Sequence, residues 1–414
     1  MTQPAGMSAV ALRAKHLQST RDLLALQERA EEAAEHRFEL GEQEQNALLE
    51  KVAAMVIRDK LVPPTSTNFE VGEAPNGAPQ LRLRYPKKAT DETDLVARIH
   101  KHALGQLASK VKIPMDYIHS LNVHDEARRW RTDLLAQNLN ELYHKSDWGI
   151  DRAGKPIRFL HRLVGTELRG FLSRRFGRHL ASGPMLRAFV EACKLVSARP
   201  IEAVASDVRF SLKCYLPHVF EAYPGQYICV GAEWTNSDFG VGKHLVSQSI
   251  WDPLRGTGAV LDDSISQVHL GSIIEDSDIE MSDETVAKEV ETQAGAIRDS
   301  VVAMLSDKSV KRLLEAIKVA NEQEISWATL KGQLSKFLYK KDIESIESIL
   351  TGGDDIIDLP PPGRSSDGTP IPTKWWAASL VSTMAARTKD EERKIELQHE
   401  AGKLLAGLIQ KEVD

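Results

Sequence analysis

From about Gly154 to Leu270 the chain reads largely as β-strand, and on both sides of that span it reads mostly as helix. Runs such as Ile157 to Val164, Val204 to Leu216, Tyr227 to Trp234 and His244 to Trp251 mix β-branched, aromatic and basic residues, with turn residues bounding several of them. Tyr223-Pro224-Gly225-Gln226 has the composition of a tight hairpin connection. One helix, Gly183 to Ser197, is expected between strands, with Ser182 placed to cap it. The pattern predicts an α+β fold: a central, mostly antiparallel β-sheet with packed helices, flanked by N- and C-terminal helical segments.

Residues Ser8 to Leu61 are rich in Ala, Leu, Glu, Gln and Arg without a proline, which predicts a helical arm over 1–62 that Pro63-Pro64 ends. Leu81-Arg82-Leu83-Arg84-Tyr85 alternates as a short strand with one apolar face. Helices are then expected over Thr90 to Val111, with Asp91 as cap, over Met115 to Leu121, and over Val123 to Tyr143. Gln106 to Ile118 has the rhythm of a helix-turn-helix, which two packed helices reproduce without touching DNA. An α+β core over 63–271 is followed by a helical segment (272–350), a Gly/Pro/Asp-rich linker (351–373) and a C-terminal helix (374–414). In that last helix the Trp375-Trp376 pair is expected to anchor into the body.

Charge is distributed unevenly. Arg152 to Tyr215 holds thirteen Lys/Arg against four Asp/Glu, a local +9 in a chain of formal net charge −6. The densest part, Leu168 to His179, interleaves arginine with aromatic and glycine residues. Guanidinium forks suit phosphates and rings suit bases, so the pattern fits nucleic acid. Arg162, Arg169, Arg174, Arg175, Arg178 and Lys243 are the candidate phosphate contacts, and Phe171 and Phe176 the candidate stacking faces. The competing reading is internal pairing, with the acidic stretch Glu28 to Glu44 as the first partner.

Signatures of catalysis are missing: there is no GxSxG, HExxH, GxxxxGK[ST] or well-placed GxGxxG. Cys193, Cys214 and Cys229 lack CxxC spacing and are expected as buried free thiols. The acidic knot Glu275 to Glu280 lacks the glycine turn of a calcium loop and reads as a solvated face, so neither metal nor cofactor is expected. Asn236, Ser237 and Asp238, with His269, form a polar motif read as a hydrogen-bonded structural corner. Gly240 and Gly242 beside Lys243 read as a hairpin turn, a phosphate-cradling turn being the alternative. No apolar run approaches the roughly 18 residues of a membrane span, and a place in the host-cell cytoplasm is expected.

Four motifs in order resemble the phage- and plasmid-borne family called domain of unknown function 932. They are Gln106-Leu107-Ala108 through Ile113-Pro114 to Tyr117; Arg169-Gly170-Phe171-Leu172-Ser173-Arg174-Arg175-Phe176; Asn236-Ser237-Asp238-Phe239-Gly240-Val241-Gly242; and Val268-His269-Leu270-Gly271. Asp238 stands where the family has glutamate, and Val268 where it has arginine. The resemblance spans roughly Leu95 to Gly271. It implies a mobile-element protein near DNA replication and recombination, without an established activity. The expectation is a non-enzymatic factor that binds nucleic acid, single-stranded DNA above all, through electrostatics. A structural or assembly protein, as a homo-oligomer or particle component, is the alternative.

Overall fold

The computed structural model describes residues 20–86, 95–150, 156–173, 181–223, 225–261, 265–267, 283–350, 363–364 and 370–409. The fold is α+β, with two large sheets among the described residues where one was expected. The six-stranded sheet contains β1 (Ile57–Val62), β2 (Asn68–Glu73), β3 (Pro79–Tyr85), β4 (Leu95–Ile99), β5 (Phe159–Val164) and β6 (Glu167–Ser173), in the order β1-β5-β6-β4-β3-β2. Only the β4–β6 pair in it is parallel. Alternation sets its faces: Leu81, Leu83 and Tyr85 of β3 join Ala97, Phe159, Leu163 and Phe171 in one core. Helices α2 (Lys101–Val111), α3 (Met115–Leu121) and α4 (Arg129–Lys145) close that core with Leu104, Leu107, Ile118, Leu135 and Leu139.

The seven-stranded sheet runs β12-β11-β10-β8-β7, with β9 on β10 and β13 on β11. Its strands are β7 (Arg199–Ala205), β8 (Phe210–Tyr215), β9 (Phe220–Tyr223), β10 (Gln226–Asn236), β11 (His244–Asp252), β12 (Thr257–Val260) and β13 (Ile265–Gln267). Every residue of β10 is buried, which requires cover on both faces. On one face Leu212, Val230, Ala232 and Trp234 meet α5 (Ser182–Leu195), α6 (Asp283–Met304) and α7 (Asp307–Glu322). On the other, Tyr215 and Cys229 meet Ala34 and Phe38 of the 35-residue helix α1 (Thr20–Ala54). Helices α8 (Trp327–Leu334), α9 (Lys340–Leu350), α10 (Lys374–Arg387) and α11 (Glu391–Ile409) complete the larger core, and a short pair of strands, β14 (Gly363–Arg364) and β15 (Pro370–Ile371), precedes α10.

Three expectations are corrected. The arm's helix ends at Ala54, because Ile57 to Val62 finds a partner strand in β5. The helix expected from Thr90 begins at Lys101: Leu95 to Ile99 pairs with β3 and β6, and His100 Nδ1 accepts from the His102 N–H as the cap. The single C-terminal helix is two, since Asp390 accepts from the N–H groups of Glu392 and Arg393 and starts a new helix after Thr388. Trp375 and Trp376 are buried in the large core, as expected of anchors. The three cysteines are buried and free, and no described helix is long and apolar enough to cross a membrane.

Candidate functional site

The described residues Gln106, Phe171 and Asn236 to Gly240 of three of the motifs meet where the two large sheets join. Between β10 and β11 the chain turns through Ser237 to Lys243, with Gly240 and Gly242 at φ of 82° and 79°, values glycine adopts readily. Ser237 Oγ donates to the Val208 carbonyl at 2.6 Å and accepts from the N–H groups of Phe239 and Val241, folding the loop on itself. The loop is held from the other side by α2. Gln106 Nε2 donates to the Phe239 carbonyl at 2.8 Å, His102 Nε2 lies 3.0 Å from the same oxygen, and Gln106 Oε1 accepts the Phe171 N–H at 2.7 Å. Gln106 thus ties the edge of β6 to the loop.

Asp238 is the buried centre of this joint. Its Oδ1 accepts the Ser182 N–H at 3.1 Å, and its carbonyl accepts from Arg162 Nη1 at 2.6 Å. Burial pushes its carboxyl above the usual range, while the Ser182 donors and the Arg162 guanidinium pull the other way. The cap expected from Ser182 is therefore corrected. Ala181 is the N-cap of α5 and makes no side-chain cap bond, and Asp238 from the loop satisfies the first-turn N–H of Ser182 instead. Asn236, Ser237 and Asp238 are all hydrogen-bonded to the surrounding chain, and Asn236 Nδ2 reaches Ser182 Oγ at 3.1 Å. His269 lies outside the described residues.

The candidate contacts divide. Phe171 is 1% exposed, packed 5.4 Å from Phe159 and 5.5 Å from Tyr143 between ring centroids, so it is a core ring and offers no face to a base. Arg162 is buried too; its guanidinium pairs with Asp59 at 3.0 Å, which removes it from the surface contacts. Arg169 pairs with Glu167 at 2.7 Å and donates to the Asp207 carbonyl. Lys243 is exposed at the end of the loop. Arg174, Arg175, Phe176 and Arg178 lie outside the described residues.

Other cations of the basic segment are used internally as well. Arg199 is held by Glu35 and Glu42 of α1, as the acidic arm led one to expect. Lys213 is fully enclosed, with Glu202 at 2.6 Å and Gln398 at 2.5 Å. It belongs to a polar spine under α11 in which Glu233 accepts from Ser211 Oγ at 2.7 Å and faces His399 at 3.2 Å, while Lys394 pairs with Glu202. Sequence inspection passed over this spine; a lysine and a glutamate amid apolar strand residues were its only signal.

Beside the joint lies an open groove of about 660 Å³. Lys101, His102, Lys110 and His119 line it from α2 and α3, Phe171, Leu172 and Ser173 from β6, and Glu392 and Gly240 from elsewhere. Lys101 and His119 are exposed. Lys110 is half-buried with its ammonium 5.4 Å from the Phe159 ring centroid, and burial lowers its pKa. Ser173 is followed directly in the chain by Arg174-Arg175.

Buried titratable groups predict acid lability. Burial holds His161 down to about 3 and His244 to about 4, below the ordinary 6.5. Burial pushes Glu202 and Glu233 up, but Lys213 and the other donors overcome it and hold both at about 2. In each case the unfolded chain binds the proton first, so stability is full above about 6.5 and falls with pH. The histidines contribute from about 6.5 to 3–4 and the glutamates from about 4.5 to 2, each at about 1.4 kcal/mol per pH unit. Urea unfolding at stepped pH measures this; a flat profile between pH 7 and 5 would contradict it.

No protein-family model matches the chain, and neither does any curated protein or solved structure.

Proposed function

We propose that the chain is a non-enzymatic nucleic-acid-binding protein that holds single-stranded DNA by its phosphates, in the replication or recombination of a mobile element. The observation that carries this reading is the open groove lined by Lys101, Lys110 and His119, with Ser173 on its wall and Arg174, Arg175 and Arg178 following in the sequence. The groove lysines, and the arginines that follow Ser173 in the sequence, are cations of the kind that track a phosphate backbone independently of sequence. The resemblance to a mobile-element family supports the biological setting.

Fluorescence anisotropy with labelled oligo(dT) tests the reading. Binding is expected at low salt, weakening linearly in log–log form as salt rises. Arg174→Ala with Arg175→Ala should lower the magnitude of that slope by about 1.4, at about 0.7 for each single-strand phosphate contact. Absence of binding at low salt would sink the proposal. Light scattering with and without oligo(dT) gives a second check: a large assembly indifferent to DNA would replace it with a structural role.

A further inference from the structure

A second cavity, of about 380 Å³, lies among α8, α10 and α11 and shares no lining residue with the groove. Its apolar lining is Ile325 and Ala377, both buried, with Phe337 and Leu404 half-buried. Its polar lining is Gln333 of α8, Lys336 just after it, Lys374 of α10, and Glu400 and Lys403 of α11. The volume falls within the roughly 300–1,000 Å³ of small-molecule sites.

The walls are tied together through the main chain. The Ile325 N–H donates to the Pro372 carbonyl at 2.8 Å, and the Lys374 N–H to the Gln323 carbonyl at 3.0 Å. These bonds clamp the segment before α8 to the start of α10. Arg393 of α11 donates to the Phe337 carbonyl, and its guanidinium lies 5.1 Å from the Tyr339 ring centroid, which holds the turn after α8 against α11. A cavity fixed in this way loses little freedom when it takes a ligand.

Charge around the cavity is unbalanced. Glu400, the carboxylate of the lining, is held by Lys403 at 2.7 Å. Lys336 and Lys374 have no ion-pair partner among the described residues. Lys374 is also the first residue of α10, where the helix dipole disfavours a cation, and that first turn holds no acidic residue to offset it. Two uncompensated ammonium groups therefore border one cavity. A bare inorganic ion gains nothing from Ile325, Phe337, Ala377 and Leu404, whereas a ligand with an apolar body removes that surface from water.

We infer that this cavity binds a small organic anion, its carboxylate, sulfonate or phosphate met by Lys336 and Lys374 and its apolar body set against Ile325, Phe337 and Leu404. The site is additional to the groove and does not depend on the nucleic-acid reading.

Fluorescence titration of the full chain with 8-anilinonaphthalene-1-sulfonate at low salt tests the inference. Saturable binding is expected, and Lys336→Gln with Lys374→Gln should raise its Kd about tenfold, the effect of losing two partly exposed charge contacts. N-phenyl-1-naphthylamine, which has the same rings without the sulfonate, should bind wild type and the double variant alike. Ala377→Leu, which fills the cavity from α10, should weaken both probes. An unchanged sulfonate Kd in the natively folded double variant would overturn the proposal, as would absence of binding to wild type. Displacement of the sulfonate by oligo(dT) would assign the cavity to a nucleic-acid surface and overturn the small-anion site. The lysine comparison is made without DNA, so its failure and that of the nucleic-acid reading are distinguishable.

Discussion

Replacing Lys213 with methionine is expected to destabilise the fold by about 3–5 kcal/mol, the range for breaking a buried ion pair from one side. The ammonium is enclosed on β8, 2.6 Å from Glu202 and 3.8 Å from Glu233. Methionine fills the space, so the loss is electrostatic. Glu233, 1% exposed, keeps Ser211 and His399 but loses its nearest permanent cation. Glu202 keeps Lys394. Gln398 loses the donor that binds it to the sheet, so the loss should spread to the docking of α11. Two results follow in urea titration: a lower midpoint, and partial recovery when Glu233→Gln is added. Full stability in the single variant would mean that water reaches the spine.

Gly402→Ala should also be costly, about 3 kcal/mol or more, at the upper end of the range for overpacking. Helix propensity alone predicts the opposite sign, since alanine in a helix interior gains about 1 kcal/mol over glycine. At Gly402 of α11, however, a Cβ would sit 1.7 Å from the Val260 carbonyl oxygen and 2.5 Å from its carbon. These are main-chain atoms of β12, which a rotamer change cannot move. The helix would have to lift, pulling Ala401 and Leu405 from the large core. Gly295 in α6 is the control: nothing lies within 4 Å of its Cβ position, so Gly295→Ala should stabilise by about 0.5–1 kcal/mol. Thermal unfolding of both variants separates packing from propensity, and shifts of the same sign would refute the close approach.

Both predictions concern positions that the linear chain does not mark. Gly402 looks like any glycine in a helix, and Lys213 looks like one cation of a basic run. The corner at Asn236-Ser237-Asp238 stood out as a polar cluster bounded by turn glycines, and Gln106 as the first residue of one of the four motifs; that they touch through Phe239 and Phe171 depended on how the sheets pack. Strand β1 was missed because its helix-forming neighbours outweighed Ile57 and Val62, and pairing with β5 decides its conformation. Strand β4 was missed because Leu95, Ile99, Leu104 and Leu107 share a helical spacing that a strand and a following helix can also produce.

Local pattern was enough for the α+β class, the buried tryptophan anchor and the turn at Gly240 and Gly242, because each depends on backbone preference or on burial of a few adjacent residues. Which arginines stay at the surface was settled by folding. Arg162 is as basic as Arg98 in the chain, yet one is sealed against Asp59 and the Asp238 carbonyl while the other faces water. Charge is a property of residues, but its availability depends on the neighbours that packing brings within a few ångströms, and those come from distant parts of the chain.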